Sequence, residues 1–297
     1  MRLKALAKIN LGLDILRKRD DGYHEVRMVM QTIQMYDILD IYKCSQPGIH
    51  LKTNLPYVPT DQRNLVYKAA SLLMEEFHIK CGLQIALEKF IPVSAGMAGG
   101  SSDAAATLIA VNRLFHLGLS KEDLMARGLA IGADVPYCVM RGTALAEGIG
   151  EKLTMLPPAP GCYVLIGKPP INVSTRQAYE SLNLSQIQHH PDIYSLVQAI
   201  RDYDLEAMLP HMENVFEPGI INEYPVIGEI KKLMLENGAL HAMMSGSGPS
   251  VFGIFRSRSA AGRAAGILRK SQLARTVFTT RLFNTAQRPP APPSSSA

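Results

Sequence analysis

The chain has 297 residues, 47% of them hydrophobic and 19% charged, with 31 basic side chains against 26 acidic ones for a net charge of +5. This is the make-up of a globular protein with room for two domains of about 150 residues; the spread-out positive excess suits an anionic substrate and lacks the basic clusters of a nucleic-acid binder. No apolar run approaches the roughly 18 residues of a membrane span, Met1-Arg-Leu-Lys-Ala begins no signal peptide, and Cys44, Cys81, Cys138 and Cys162 have neither zinc nor disulfide-framework spacing, so a reduced cytoplasm is the expected compartment.

In chain order, residues 3–15 alternate as a strand, and 17–24 form a polar turn. Inside the strand, Leu6-Ala-Lys-Ile-Asn-Leu-Gly12 puts Lys8 and Asn10 two residues apart on one face. Lys8 either snorkels from a sheet edge or points with Asn10 into a cleft. Tyr23-His24 at the end of the turn either packs the loop on the core or stacks on, and hydrogen-bonds, a base or sugar. Residues 29–41 read as strand. Residues 64–77, with apolar side chains at 65, 66, 69, 72 and 73, read as helix.

A short strand over 83–87 leads through Lys89 into Pro92-Val-Ser-Ala-Gly-Met-Ala-Gly-Gly-Ser-Ser-Asp103 and an alanine-rich helix over 103–115. Glycines bring backbone amides close to a ligand, and a helix start adds positive potential, so the loop is either a small-residue connector or an anion site suited to phosphate. It lacks the lysine of a Walker A loop and the spacing of a dinucleotide fingerprint. Ser101, Ser102 and Asp103 are the expected N-cap candidates. A further helix is expected over 121–131, capped by Ser120. Asp134, in Ile131-Gly-Ala-Asp-Val-Pro-Tyr137, is either a turn carboxylate or a general base.

Pro157-Pro-Ala-Pro-Gly161 is the expected domain boundary, dividing 1–157 from 158–285. Beyond it come a strand over 163–166, helices near 194–203 and 226–237, and a strand over 250–255. Met244-Ser-Gly-Ser-Gly-Pro-Ser-Val251 is a tight turn or a second backbone nest for an anion, and it does not match a nucleophile elbow. His189 and His190 have no partner at metal spacing and read as surface residues. The Pro/Ser-rich tail 286–297 is expected to be disordered.

Ala7-Lys-Ile-Asn-Leu-Gly-Leu13, the loop from Pro92 to Ser102, and Ser245-Gly-Ser-Gly-Pro-Ser250 together resemble the three signature motifs of the GHMP kinase superfamily (galactose, homoserine, mevalonate and phosphomevalonate kinases). Asp21-Gly-Tyr-His-Glu25, Asp61-Gln-Arg-Asn-Leu-Val66, Gly132-Ala-Asp-Val-Pro136 and Glu147-Gly-Ile-Gly-Glu151 narrow the resemblance to the branch acting on a cytidine-diphosphate-linked methylerythritol in non-mevalonate isoprenoid synthesis. It runs from about residue 5 to 285.

The resemblance implies an α/β (α+β) fold of two domains, ribosomal-protein-S5-like then ferredoxin-like, with the site in the cleft between them. It implies ATP with Mg²⁺, a small-molecule acceptor, no nucleic acid or membrane partner, and a monomer or homodimer. Asp134 would take the proton from the acceptor's C2 hydroxyl, and Lys8 would steady that carboxylate and offset phosphoryl charge. Pro92, Val93, Ser94, Ala95, Gly96, Met97, Ala98, Gly99, Gly100, Ser101 and Ser102 would wrap the ATP phosphates, with Lys89 and Asn64 nearer the nucleoside. Asn10 would hold the acceptor, and Tyr23 and Tyr179 would sandwich a cytosine whose polar edge His24 reads. The metal's ligands are open, Ser102 being one candidate. Met97 and Ala98 replace the superfamily's usual leucine and glycine, which requires position 98 to avoid strongly positive φ. A homoserine- or mevalonate-type kinase and a non-catalytic nucleotide sensor share the same motifs.

Overall fold

The structure is a computed structural model that describes residues 1–182, 184, 187 and 189–285; the call of a disordered tail lies outside the described residues. The first half is a sheet with helices against one face. Its strands are β1 (Arg2–Lys18), β2 (His24–Cys44), β3 (Ile49–Thr53), β4 (Gly82–Glu88), β5 (Thr143–Gly148) and β6 (Lys152–Met155), in the order β3-β4-β2-β5-β6 with β1 also paired to β2. β1 and β2 form one long antiparallel hairpin whose registers shift on either side of Lys8 and Asn10, between Leu6 and Lys8 and between Asn10 and Gly12. Such irregularities re-aim side chains, and these two flank Lys8 and Asn10, two of the strand's buried polar residues.

Against this sheet pack α1 (Leu65–Glu76), α2 (Gly99–Phe115), α3 (Lys121–Leu129) and α4 (Val135–Met140). Ala104, Ala105, Ala106 and Ala110 are fully buried, so the small side chains of α2 let it sit close beneath the sheet. α3 begins at Ser120 as expected, with Asp123 completing a capping box.

α2 departs from expectation. It starts four residues early, at Gly99, and its N-cap is Ala98, which makes no side-chain cap bond and sits in the left-handed region at φ 52°. Ser101, Ser102 and Asp103 therefore lie in the first turn rather than capping it, and position 98 does not avoid positive φ. The backbone reversal through Gly96 and Ala98 turns the chain into the helix without a side-chain cap.

The second sheet contains β7 (Tyr163–Lys168), β8 (His241–Met244), β9 (Val251–Phe255) and β10 (Thr276–Arg281), antiparallel in the order β10-β7-β9-β8. Between β7 and β8 run α5 (Thr175–Ser181), α6 (Ile193–Arg201), α7 (Leu205–Met208), α8 (Glu217–Glu223) and α9 (Pro225–Glu236); α10 (Arg258–Ser271) joins β9 to β10. The first strand lies between the fourth and the third, as in a ferredoxin-like β-α-β-β-α-β unit with extra helices in its first crossover. The expected fold class is the one observed.

The two sheets share packing. One buried cluster combines Ala7, Ile9, Leu11, Val29 and Ile33 of the first sheet with Val164, Ile166, Phe252 and Ile254 of the second. The cleft opens beside this shared core.

Candidate active site

Lys8 is 5% exposed, and its ammonium donates to Asn10 Oδ1 at 2.6 Å. Its backbone N–H donates to Met97 O at 3.2 Å, which ties β1 to the glycine loop. The loop in turn meets the third motif: Ser245 Oγ donates to Gly96 O at 3.0 Å. Gly96 has φ 72°, and a Cβ there would stand 2.0 Å from Ser245 O, so only glycine fits this crossing. At Gly246 a Cβ would lie 3.4 Å from Asn10 Oδ1. Three stretches far apart in sequence therefore converge on one point.

Within Pro92–Ser102, every residue except Met97 and Ser102 lines the cleft. Met97 is buried in the shared core, and the Ser102 hydroxyl donates to Leu6 O, beside Cys138 Sγ. The structure thus brings Ser101, not Ser102, to the cleft wall. Because Ala98 offers no cap, the first amides of α2 have no side-chain cap partner among the described residues. Free amides at the positive end of a 17-residue helix suit a polyphosphate.

Lys89 and Asn64 also line the cleft, but the fold already engages their polar atoms. Lys89 Nζ bridges two buried carboxylates, pairing with Asp37 and with Asp103 at 2.7 Å. Asp37 also accepts from the backbone N–H groups of Phe90 and Ile91, so it pins the approach to the loop. Burial pushes the Asp103 carboxyl well above the usual carboxylate range, with Asp37 adding to the rise and Lys89 opposing it. Asn64 caps α1: Oδ1 accepts from Val66 N at 2.9 Å, and Nδ2 donates to Pro59 O at 2.7 Å.

Asp134 occupies the N-cap position of α4 yet makes no cap hydrogen bond, and it lines the same cleft as Lys8. The carboxylate therefore does not serve α4 as a side-chain cap. Among the described residues no ion pair joins Lys8 to Asp134, so Lys8 does not clamp that carboxylate as expected. Asn10 fixes the ammonium instead.

Tyr23, His24 and Tyr179 line the cleft too, arranged differently from a simple sandwich. The His24 and Tyr179 rings are 5.2 Å apart and tilted, and Tyr179 meets Phe216 edge-on at 4.9 Å. Tyr23 is 61% exposed at the rim. Burial, then the Lys18 charge, hold His24 below its ordinary value of 6.5, which leaves it neutral at pH 7. Burial raises the Tyr179 phenol, which stays protonated.

Sequence reasoning missed Asp37, Phe216 and Asn214. His189 and His190, expected as surface residues without a partner at metal spacing, are exposed, and each meets one carboxylate: His190 Nδ1 lies 2.8 Å from Asp14 Oδ1 and His189 Nε2 lies 2.9 Å from Glu213 Oε2. An Asn-x-x-Glu in an apolar stretch (214–217) is the faint signal that was present.

The cleft encloses about 1550 Å³. A pocket for one small ligand takes roughly 300–1,000 Å³, so this volume suits two large ligands side by side. Among the described residues no group of three His, Cys, Asp or Glu is placed to hold a metal, and no helix is long and apolar enough to cross a membrane.

The family model described as GHMP kinases N terminal domain matches residues 64–142, and GHMP kinases C terminal matches 182–273. A protein of Lachnospira eligens named 4-diphosphocytidyl-2-C-methyl-D-erythritol kinase is 52% identical over 283 residues, covering 95% of this chain and 98% of that protein. A crystal structure of 4-(cytidine 5'-diphospho)-2C-methyl-D-erythritol kinase superposes with a TM-score of 0.82 at 32% identity, over 95% of this chain and 99% of that one. A homoserine kinase from Cytophaga hutchinsonii, at TM-score 0.71 and 22% identity over 93% of each chain, shares the fold.

Proposed function

We propose, for a chain that belongs to the GHMP kinase family, the ATP-dependent phosphorylation of 4-diphosphocytidyl-2-C-methyl-D-erythritol at its C2 hydroxyl. The products are the 2-phosphate and ADP, a step in making non-mevalonate isoprenoid precursors. The observation that carries this reading is Asp134, uncapped in a cleft that also holds Lys8 and the open N-terminus of α2. The names of the relatives supply the acceptor.

Phosphoryl transfer leaves little covalent work to a protein, so positioning and charge stabilisation carry the rate. The glycine loop and first-turn amides hold the ATP phosphates. Lys8, fixed by Asn10, offsets negative charge on the group in flight. The acceptor oxygen forms its bond to the γ-phosphorus, the bond to the ADP oxygen breaks, and the hydroxyl proton passes to the Asp134 carboxylate. His24 and Tyr179, backed by Phe216, form an aromatic wall for the cytosine, with Tyr23 covering it from the rim and neutral His24 offering a hydrogen bond.

Mg²⁺ belongs to this reading as the partner of ATP. Mg²⁺ would take most of its ligands from phosphate oxygens and water, and the Ser101 hydroxyl on the cleft wall would be a side-chain oxygen available to it. When bound, it neutralises phosphate charge.

The test is an ATP-coupled assay with the cytidyl acceptor, alongside homoserine and mevalonate. Wild-type protein is expected to act on the first. Product only with one of the others would assign a sister activity. Asp134→Asn is expected to bind ATP as before and lose about 10²–10⁴-fold in kcat; near-normal turnover would remove Asp134 from the mechanism.

A further inference from the structure

Residues 213–217, Glu-Asn-Val-Phe-Glu, have no part in the three motifs, yet they meet β1, the third glycine turn and Tyr179. Their backbone lies beside β1: Leu13 N donates to Glu213 O at 2.9 Å, and Val215 N donates to Leu13 O at 3.0 Å. This contact falls three residues beyond Asn10. Phe216, from the same segment, lies edge-on to Tyr179.

Asn214 is 5% exposed, and both faces of its amide are used. Nδ2 donates to Met244 O and to Gly246 O, each at 2.8 Å, and Oδ1 accepts from Phe216 N at 3.0 Å. Glu217 adds a second grip, accepting from Met244 N at 2.7 Å while Lys231 holds its other oxygen at 2.7 Å. The third glycine turn is therefore held from beneath by one segment. Above, it has no slack: the Cβ direction of Gly246 points at Gly96 O, 3.3 Å away, and Asn10 Oδ1, 3.4 Å away.

We propose that Asn214 is a positioning residue that sets the third glycine turn against Asn10 and Gly96, so that the acceptor hydroxyl meets the γ-phosphoryl group in line. Only an amide supplies two donors and an acceptor in this space; a carboxylate donates nothing. Because the segment also carries Phe216, the aromatic wall and the turn move as one unit. The inference rests on the acceptor-kinase reading above.

Asn214→Asp keeps the size and the bond from Phe216 N but sets carboxylate oxygens against two carbonyls. Misplacement by about 1 Å costs on the order of 10²-fold in rate, so kcat is expected to fall by about that factor while the KM for ATP stays within about twofold. Leu268→Ala is the stability control: it hollows the core between α10 and β7, away from the cleft and the turn, and it should lower the melting temperature and leave kcat unchanged. Should the aspartate variant not fold, Asn214→Ser, which keeps one donor, is expected to lose about tenfold in kcat with ATP KM again unmoved. A wild-type kcat in either folded Asn214 variant, or a loss seen in ATP KM alone, would overturn the proposal. The wild-type rate on the cytidyl acceptor tests the substrate reading separately. If another acceptor proves to be the substrate, the variant-to-wild-type ratio is read on that one and decides the proposal equally.

Discussion

Lys89 shows how a charge inside a ligand cleft can belong to the fold. Its ammonium sits between Asp37 and Asp103, both buried, and through Asp37 it steadies the backbone entering the glycine loop. Removing one partner of a buried ionic group leaves the others uncompensated, at a cost of about 3–5 kcal/mol. Lys89→Met is therefore expected to lose about that much stability in urea denaturation, with two carboxylates left facing each other. A loss below about 1 kcal/mol, of the size seen for exposed pairs, would instead leave the lysine free to serve the nucleotide. Lys8, Asn10 and Asp134 were legible as types because each is a polar residue interrupting a short-range pattern. Asp37 and Asn214 were not, since partners that fix them lie 52 and 30 residues away and only the faint Asn-x-x-Glu spacing marks the second. Burial, not sequence context, makes them matter.

The start of α2 makes the same point at the scale of an element. Serines before an alanine run look like caps, because side-chain oxygens usually satisfy the first amides of a helix. Here a left-handed turn does the steering, so the helix begins before the serines and its first amides stay open for phosphate. The residue that cannot change is Gly96, where positive φ coincides with close approach to Ser245 O. Gly96→Ala is expected to part the second and third motifs and lower kcat by at least about 10²-fold. Ala98 already bears left-handed strain of roughly 1–2 kcal/mol, so Ala98→Gly should raise thermal stability. Steady-state kinetics and melting curves of the two variants check both directions. Equal behaviour of the pair would mean that the loop is merely small, with no position demanding glycine. The element's existence and length were readable from its alanines; its first turn was not, because the deciding contact comes from residue 245.

At the scale of the whole molecule, the proline-rich stretch at 157–161 marks where the chain passes from one sheet to the other, but the cores do not part there. Ile9 and Leu11 of β1 pack in the same buried cluster as Phe252 and Ile254 of β9, and residues 213–215 run alongside β1. Neither half buries that surface alone. A cleft whose opposite walls rest on one core keeps Lys8, Gly96 and Gly246 in fixed relation, as in-line transfer demands. The same argument predicts how the protein unfolds. Two halves with separate cores would open at two free energies, whereas a shared core ties them into one cooperative unit. The slowest-exchanging amides of β1 and β9 are therefore expected to report the same opening free energy in native-state hydrogen exchange, and both should fall together in a variant that hollows the shared cluster, such as Phe252→Ala, by about 3–5 kcal/mol. If β9 lost protection while β1 kept it, the cleft would be a joint between independent bodies, and its geometry would have to be set by the ligands instead of by the fold.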